Sequence, residues 1–310
     1  MPSELVPEGD FLLLVDASAY IHRLYHASTK TVRRSDNQET GAIIAFCWSM
    51  MRLLRNGKSA LGRRPSHAAI VMDSRGKNWR HGIYPEYKAN RKPYEPELES
   101  QLPFIPRIAA AFNVPCIKMN GWEADDIIAT YATISPLEGL PVVIASSDKD
   151  FSQLVNENVL LYDPLRDKDP ERYDTSKSLI NTDRVKEEWG VFPWQMIDLQ
   201  ALTGDTTDNV PGLHNIGPVK AARLLAVFDT LERIMEAADW GPEGFKPKEY
   251  DSIMAGFHNL LLAKELVTLA RNVPVEIEPD DLYLKGADSS ALKEFFLELE
   301  APQLERRVDF

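Results

Sequence analysis

Apolar positions fall into two kinds of pattern along the chain. Phe11-Leu12-Leu13-Leu14-Val15, His67-Ala68-Ala69-Ile70-Val71-Met72 and Pro141-Val142-Val143-Ile144-Ala145 are short, nearly unbroken apolar runs. Such runs predict strands buried on both faces, as in a parallel sheet. A shorter strand is predicted over 115–119. Between the strands, helical periodicity predicts helices from near Ser18, over 41–55, over 102–112 and from Glu123 onward. The alternation predicts an α/β fold, a mostly parallel central sheet flanked by helices. From about Asn181 the pattern turns helical. Thr182 and Asp183 are candidate caps for one helix, 193–203 form another, and further helices run through Arg271. A strand-like 273–277 and a last helix over 289–299 follow. The change of pattern predicts a boundary near residue 180, with an α/β domain over 1–180 and a helical subdomain over 181–310.

The strands share one chemical feature: they deliver acids. Asp16 follows the first run, Asp73 the second, and Ser146-Ser147-Asp148-Lys149-Asp150 the third. In open α/β sheets, ligands sit beyond the carboxyl ends of the strands. Asp16 reads equally well as an N-cap, and Asp-x-Asp after a strand also suits a phosphatase-type nucleophile pair. A further acid cluster lies at the predicted helix start in Gly121-Trp122-Glu123-Ala124-Asp125-Asp126. Acids in a first helical turn suit the helix dipole. Crowding opposes this, because like charges about 4 Å apart repel by about 4 kcal/mol at an effective dielectric near 20. The cluster reads either as a solvated, acidic helix start or as a cation site.

Composition narrows these options little. With 310 residues, 44% hydrophobic, the chain can bury a substantial core. No apolar run reaches membrane-spanning length and the N-terminus lacks a signal-peptide pattern, so a cytoplasmic location is expected. Cys47 and Cys116 lack metal-ligand spacing and read as buried free thiols. The net charge of −12 argues against an anionic partner only if the acids are spread evenly. They are not. Between Arg75 and Tyr94, six basic residues, among them Lys88 and Arg91, interleave with Trp79, Tyr84, Tyr87 and Tyr94 against the single acid Glu86. Cations to follow a backbone and rings to stack on bases make up a single-strand nucleic-acid channel, although a polar surface excursion would share the composition. Arg23 either reaches back to the crevice or is an ordinary exposed helical arginine. Finally, Thr203-Gly204-Asp205 through Asp208-Asn209-Val210-Pro211-Gly212 and Ile216-Gly217-Pro218 form a turn-rich hairpin before a helix. Its N–H groups and Lys220 would suit a phosphate.

Taken together, Val15-Asp16, Met72-Asp73 with Arg80, Glu123-Ala124-Asp125-Asp126, Asp148-Lys149-Asp150 and the 204–218 hairpin resemble the 5′-nuclease family. That family includes flap endonucleases, phage 5′-exonucleases and the N-terminal nuclease domain of bacterial DNA polymerase I. The match runs over nearly the whole chain. It implies a PIN-like nuclease core, a helical arch at about 75–100 and a helix-hairpin-helix at about 203–226. The implied activity is divalent-metal-dependent 5′→3′ exonuclease and flap endonuclease cleavage of DNA in replication or repair, by a monomer. RNA-primer removal from an RNA–DNA hybrid, or a non-catalytic DNA-binding module, are the alternatives.

By the same resemblance, Asp16, Asp73, Glu123 and Asp125 would gather one Mg²⁺ or Mn²⁺ and Asp125, Asp148, Asp150 and Asp208 a second. Asp126 and Asp205 would complete the acidic site. Arg80 would contact the scissile phosphate, and Lys88 and Arg91 would line the arch. Arg23, Tyr87, Gly212, Gly217 and Lys220 would contact DNA, and backbone carbonyls of Asn209, Val210 and Ile216 would hold K⁺. The run at 214–220 departs from the family pattern by placing Lys220 one position late. The chain also ends at Phe310, where a polymerase I homologue would continue.

Overall fold

The computed structural model describes residues 6–27, 30–55, 60–164, 166 and 178–308. Among them, one sheet contains β1 (Leu12–Asp16), β2 (His67–Val71), β3 (Cys116–Ile117), β4 (Val142–Ala145), β5 (Val159–Tyr162) and β6 (Leu179–Ile180). The order is β3-β2-β1-β4-β5-β6. Every pairing is parallel except β5 with β6. The chain builds outward from β1 on one side, then crosses to start again on the other. The switch point therefore lies between β1 and β4, and a crevice beyond their carboxyl ends is the topological consequence.

The unbroken apolar runs are explained by two cores, one on each face. Leu12, Leu14, Ala69, Val71, Val142 and Ile144 pack into one. Their neighbours Leu13, Val15, Ala68, Ile70, Val143 and Ala145 pack into the other. Period-two alternation is thus present, with both faces covered.

In the first half the helices are α1 (Ala17–Ala27), α2 (Gly41–Leu54), α3 (Trp79–Ile83), α4 (Pro96–Glu99), α5 (Phe104–Ala111) and α6 (Ala124–Ile134). The second half adds α7 (Thr182–Trp189), α8 (Met196–Thr203), α9 (Pro218–Phe228), α10 (Leu231–Trp240) and α11 (Pro247–Val267), then α12 (Ser289–Glu298) and α13 (Pro302–Glu305). Residues of α6 through α11 share the core containing Leu12, whereas α1, α2, α5, α12 and α13 cover the opposite face.

Five details differ from the sequence expectation. Residues 273–277 form no strand: Pro274 has no N–H to donate, and Val273 buries its side chain without a neighbouring ladder. Asn181, not Thr182 or Asp183, caps α7, its Oδ1 accepting from the Arg184 N–H at 3.0 Å. The β5 and β6 strands were not anticipated, since Val159-Leu160-Leu161-Tyr162 is only one helical turn long. In the 75–100 segment expected to arch, only α3 and α4 are helical, with turns between them. Cys47 is buried as expected, but Cys116 is half-buried; neither is bridged.

Candidate active site

Acids converge on the switch point from five places. Asp16 ends β1 with its carboxylate bound on both sides: Oδ1 accepts from the Ala19 N–H at 3.1 Å and Oδ2 from the Ser146 hydroxyl at 2.8 Å. It is therefore the cap of α1 and a member of the acidic crevice at once. Asp73, just past β2, accepts the Ala124 N–H at 2.9 Å and so satisfies one of the free amides at the start of α6. Glu123, at the capping position of that helix, makes no such bond. Asp148 follows β4 and accepts the Asp150 N–H at 3.0 Å. Asp205 and Asp208 come from the 204–212 hairpin, where Asp205 and Val210 exchange backbone hydrogen bonds at 3.0 and 2.8 Å. Asp205 Oδ1 also accepts the Thr207 N–H at 2.7 Å.

These groups line two adjoining cavities. One, about 390 Å³, has Asp16, Asp73, Asp125 and Asp148 in its walls. The other, about 440 Å³, has Asp125, Asp148, Asp150, Asp205 and Asp208. Asp125 and Asp148 thus face both. Burial, and next the charge of Asp73, push the Asp16 carboxyl up to about 7. Burial and then Asp148 push Asp150 up to about 7 as well. Asp125 is raised well above the ordinary carboxylate range by desolvation and then by Asp16, Asp148 and Asp73.

Cations answer only part of this charge. Lys88 pairs with Glu123 and, at 3.5 Å, with Asp208; Arg91 pairs with Asp208 and Lys149 with Asp205. Burial disfavours the Lys88 ammonium, but Glu123 and Asp208 outweigh it, and its pKa lies above the ordinary lysine value. Among the described residues, Asp16, Asp73, Asp125 and Asp148 have no ion-pair partner, and Asp125 accepts no hydrogen bond. Hard carboxylate oxygens carrying uncompensated charge match the donor chemistry of Mg²⁺ or Mn²⁺. The match is of charge and donor type: among the described residues, no three of these acids stand at ready-made metal-ligand spacing.

Three sequence-based assignments need correction. Arg80 was expected at the scissile phosphate, but it is 1% exposed. Its guanidinium binds Asp126 at 2.8 and 2.9 Å, Glu123 at 2.9 Å and the carbonyls of Leu266 and Thr268 at 2.8 and 2.9 Å, which leaves no N–H for a phosphate. Asp126, expected among the metal acids, is wholly buried. It is consumed by Arg80, the Trp79 indole N–H at 2.9 Å and the Ala270 N–H at 2.9 Å. Tyr87, expected to stack on DNA, is buried, and its hydroxyl lies 3.0 Å from carboxylate oxygens of both Glu123 and Asp208.

The remaining candidates are at the surface or in the hairpin. Arg23 donates to the Ser147 carbonyl at 3.3 Å and lines both cavities. Lys220 donates to the Asn215 carbonyl at 2.7 Å. Val210 and Ile216 are buried, and the Val210 carbonyl already takes the Asp205 N–H. Asn209 has positive φ and its side chain donates to the Glu86 carbonyl at 2.7 Å. Gly212 is required by packing, since a Cβ there would lie 2.2 Å from the Thr203 carbonyl. Gly217 precedes α9, and a Cβ there would meet nothing. Sequence reading missed Lys149 as a partner of Asp205, and Gln200, whose amide donates to Asp150. The former stood in plain view between two acids.

Acids gathered at an α/β switch point beneath a cationic segment suit metal-assisted chemistry on a phosphate ester. The chain belongs to the 5′–3′ exonuclease family. Residues 11–190 match the family's N-terminal resolvase-like domain and residues 191–290 its C-terminal SAM fold. It is 32% identical over 298 residues to the 5′-3′ exonuclease of Aquifex aeolicus, spanning 96% of this chain and 95% of that one. It is 40% identical over 302 residues to DNA polymerase I of Rhizobium leguminosarum, covering 97% of this chain but 28% of the polymerase. The chain thus spans less than a third of that relative's length. In fold it is similar to bacteriophage T5 5′-exonuclease with bound zinc (TM-score 0.61, 20% identity, 96% and 97% of the two chains). It is also similar to the catalytic core of Rad2 in complex with a DNA substrate (TM-score 0.62, 17% identity, 99% and 94%).

Proposed function

We propose that this chain is a divalent-metal-dependent 5′→3′ exonuclease and 5′-flap endonuclease that hydrolyses DNA, using two ions gathered by Asp16, Asp73, Glu123, Asp125, Asp148, Asp150 and Asp208. The observation that carries the reading is the set of unpaired acids, Asp16, Asp73, Asp125 and Asp148, at the switch point. A structural network would have paired them, and their mutual repulsion is a cost that a bound cation offsets without protonating them. Zinc in the T5 exonuclease and DNA in the Rad2 complex, both of the same fold, support it.

A pair of divalent ions supplies, when bound, an activated water and a counter-charge for the leaving oxygen. The side chains of the crevice do the rest. Asp125 and Asp148, facing both cavities, join the two halves of the acidic floor. Lys88 and Arg91 are held over it and become available to a phosphate as their acids acquire other partners. Arg23, anchored on the Ser147 carbonyl, adds positive charge to the entrance. The α8–α9 hairpin, with Gly212, Gly217 and Lys220, grips the duplex backbone without reading bases. Carbonyls of Asn209 and Ile216 are the candidates for K⁺.

The test is cleavage of a 5′-labelled flap with and without Mg²⁺, beside nicked, single-stranded and RNA–DNA substrates. Mg²⁺-dependent cuts near the junction are expected; no cleavage of any substrate at any salt concentration would overturn the reading.

A further inference from the structure

The two halves of the acidic floor are not alike. The cavity of about 390 Å³ is walled by Asp16, Asp73, Asp125 and Asp148, none of which has an ion-pair partner among the described residues. In the cavity of about 440 Å³, Asp150, Asp205 and Asp208 are all answered by cations. Lys88 and Arg91, which cover Asp208, come from the cationic segment above. Lys149 comes from the floor itself, between the two acids that follow β4.

Lys149 closes a pair of carboxylates that are already held in place. Asp205 Oδ1 accepts from the hairpin's own amides, the Thr207 N–H at 2.7 Å and the Asp208 N–H at 3.3 Å. Its other oxygen, Oδ2, is bound by the Lys149 ammonium and, among the described residues, by nothing else. The same ammonium lies 3.7 Å from Asp150 Oδ1, which the Gln200 amide holds from another side. Gln200 is 2% exposed, and its own carbonyl oxygen is buried without a partner. An orphaned carbonyl costs about 1–3 kcal/mol, so packing alone does not account for a glutamine here, whereas fixing Asp150 does.

The lysine is free to leave this position. Its side chain is 37% exposed and lines the cavity. The backbone around it stays put, because the Asp148 N–H donates to the Ser146 hydroxyl at 3.1 Å and the Asp150 N–H to Asp148 at 3.0 Å. An ammonium on a flexible stem brings one charge; a divalent ion brings two and prefers oxygen ligands. The two compete for the same carboxylates.

We infer that Lys149 is the resident counter-ion of this half of the floor. It holds Asp205 and Asp150 together when no divalent ion is present and lowers the affinity of that half for one. This rests on the two-ion reading above and adds an order to it: the half built on Asp16 and Asp73 fills first, and the half built on Asp150 fills as Lys149 is displaced.

The test uses Mn²⁺ alone, added to the full chain without DNA and followed by the paramagnetic resonance of the free ion. The parent is expected to bind one ion tightly and a second more weakly. Lys149→Met removes the charge and is expected to tighten the weaker site about tenfold while leaving the tighter one unchanged. Lys149→Gln, which can still hydrogen-bond Asp205, is expected to tighten it as well, and Lys149→Arg to match the parent. Urea unfolding without metal separates a merely structural tie, which would lower the stability of Lys149→Met and leave its ion affinities at the parent values. Unchanged affinities in both neutral variants would overturn the inference with the two-ion reading intact. No second ion in the parent or in any variant would overturn the two-ion reading itself, and the role of Lys149 with it.

Discussion

Arg80 and Asp126 form a two-pronged ion pair, at 2.8 and 2.9 Å, in which neither side chain reaches solvent. The pair ties the segment after β2 to the start of α6, and through the carbonyls of Leu266 and Thr268 to the end of α11. Arg80 is thus a cross-brace beneath the acids. Removing one partner strands a buried charge.

Arg80→Ala is therefore expected to destabilise the fold by about 3–5 kcal/mol in urea unfolding. Arg80→Lys is expected to lose most of that as well, because an ammonium cannot serve Asp126, Glu123 and two carbonyls in their planar fork arrangement. A stably folded Arg80→Ala with only a slowed chemical step would restore the phosphate-contact role.

Asp125 sits in a group of like charges without a partner. Asp125→Asn is expected to raise the melting temperature of metal-free protein by a few degrees, a gain of about 1–2 kcal/mol. The same variant is expected to lose most of the stabilisation that Mg²⁺ confers on the parent, which at a hundredfold excess over Kd is about 2.7 kcal/mol. Thermal unfolding with EDTA and with Mg²⁺ reads both effects. A metal-free variant less stable than the parent would argue for a structural role instead.

Lys88 has φ +56°, a conformation that costs a side-chain-bearing residue about 1–2 kcal/mol, yet its amide is fixed by the Asp208 carbonyl at 2.9 Å. Its side chain is what the site retains the strain for. Lys88→Ala and Lys88→Gly both remove the ammonium and are expected to reduce DNA cleavage alike, while Lys88→Gly is the more stable of the two by about 1 kcal/mol. Equal stability in chemical denaturation would remove the backbone argument.

The acids were legible because the apolar runs of β1, β2 and β4 stop where Asp16, Asp73 and Asp148 begin, and sheet topology carries strand ends to one crevice. Which acids are free was not legible. Arg80 lies in a run of basic residues that reads as exposed, and its burial depends on Leu266 and Thr268, far along the chain. Tyr87 shares that fate: its ring composition suggested stacking, whereas only the fold brings Glu123 and Asp208 to its hydroxyl. The short strand β5 is set by its ladders with β4 and β6, and the turns of 84–94 by tertiary contacts with the hairpin, including the Asn90 amide on the Thr206 carbonyl at 2.6 Å.

The hairpin's two candidate DNA glycines separate packing from contact. Gly212 lies against the Thr203 carbonyl and the Gly204 N–H, so a Cβ would intrude to 2.2–2.3 Å of backbone atoms that cannot yield cheaply. Gly217 is exposed, has φ −92° and has open space where a Cβ would stand. Gly212→Ala is expected to distort the turn that positions Asp205 and Asp208, lowering both thermal stability and Mg²⁺-dependent cleavage. Gly217→Ala is expected to fold as the parent does, and to weaken duplex affinity only if a phosphate approaches the amide at the start of α9. Electrophoretic binding at two salt concentrations, beside melting curves, distinguishes the cases. Normal melting and normal affinity for Gly217→Ala would remove that amide from the DNA contact surface, because nothing inside the protein masks the added methyl group.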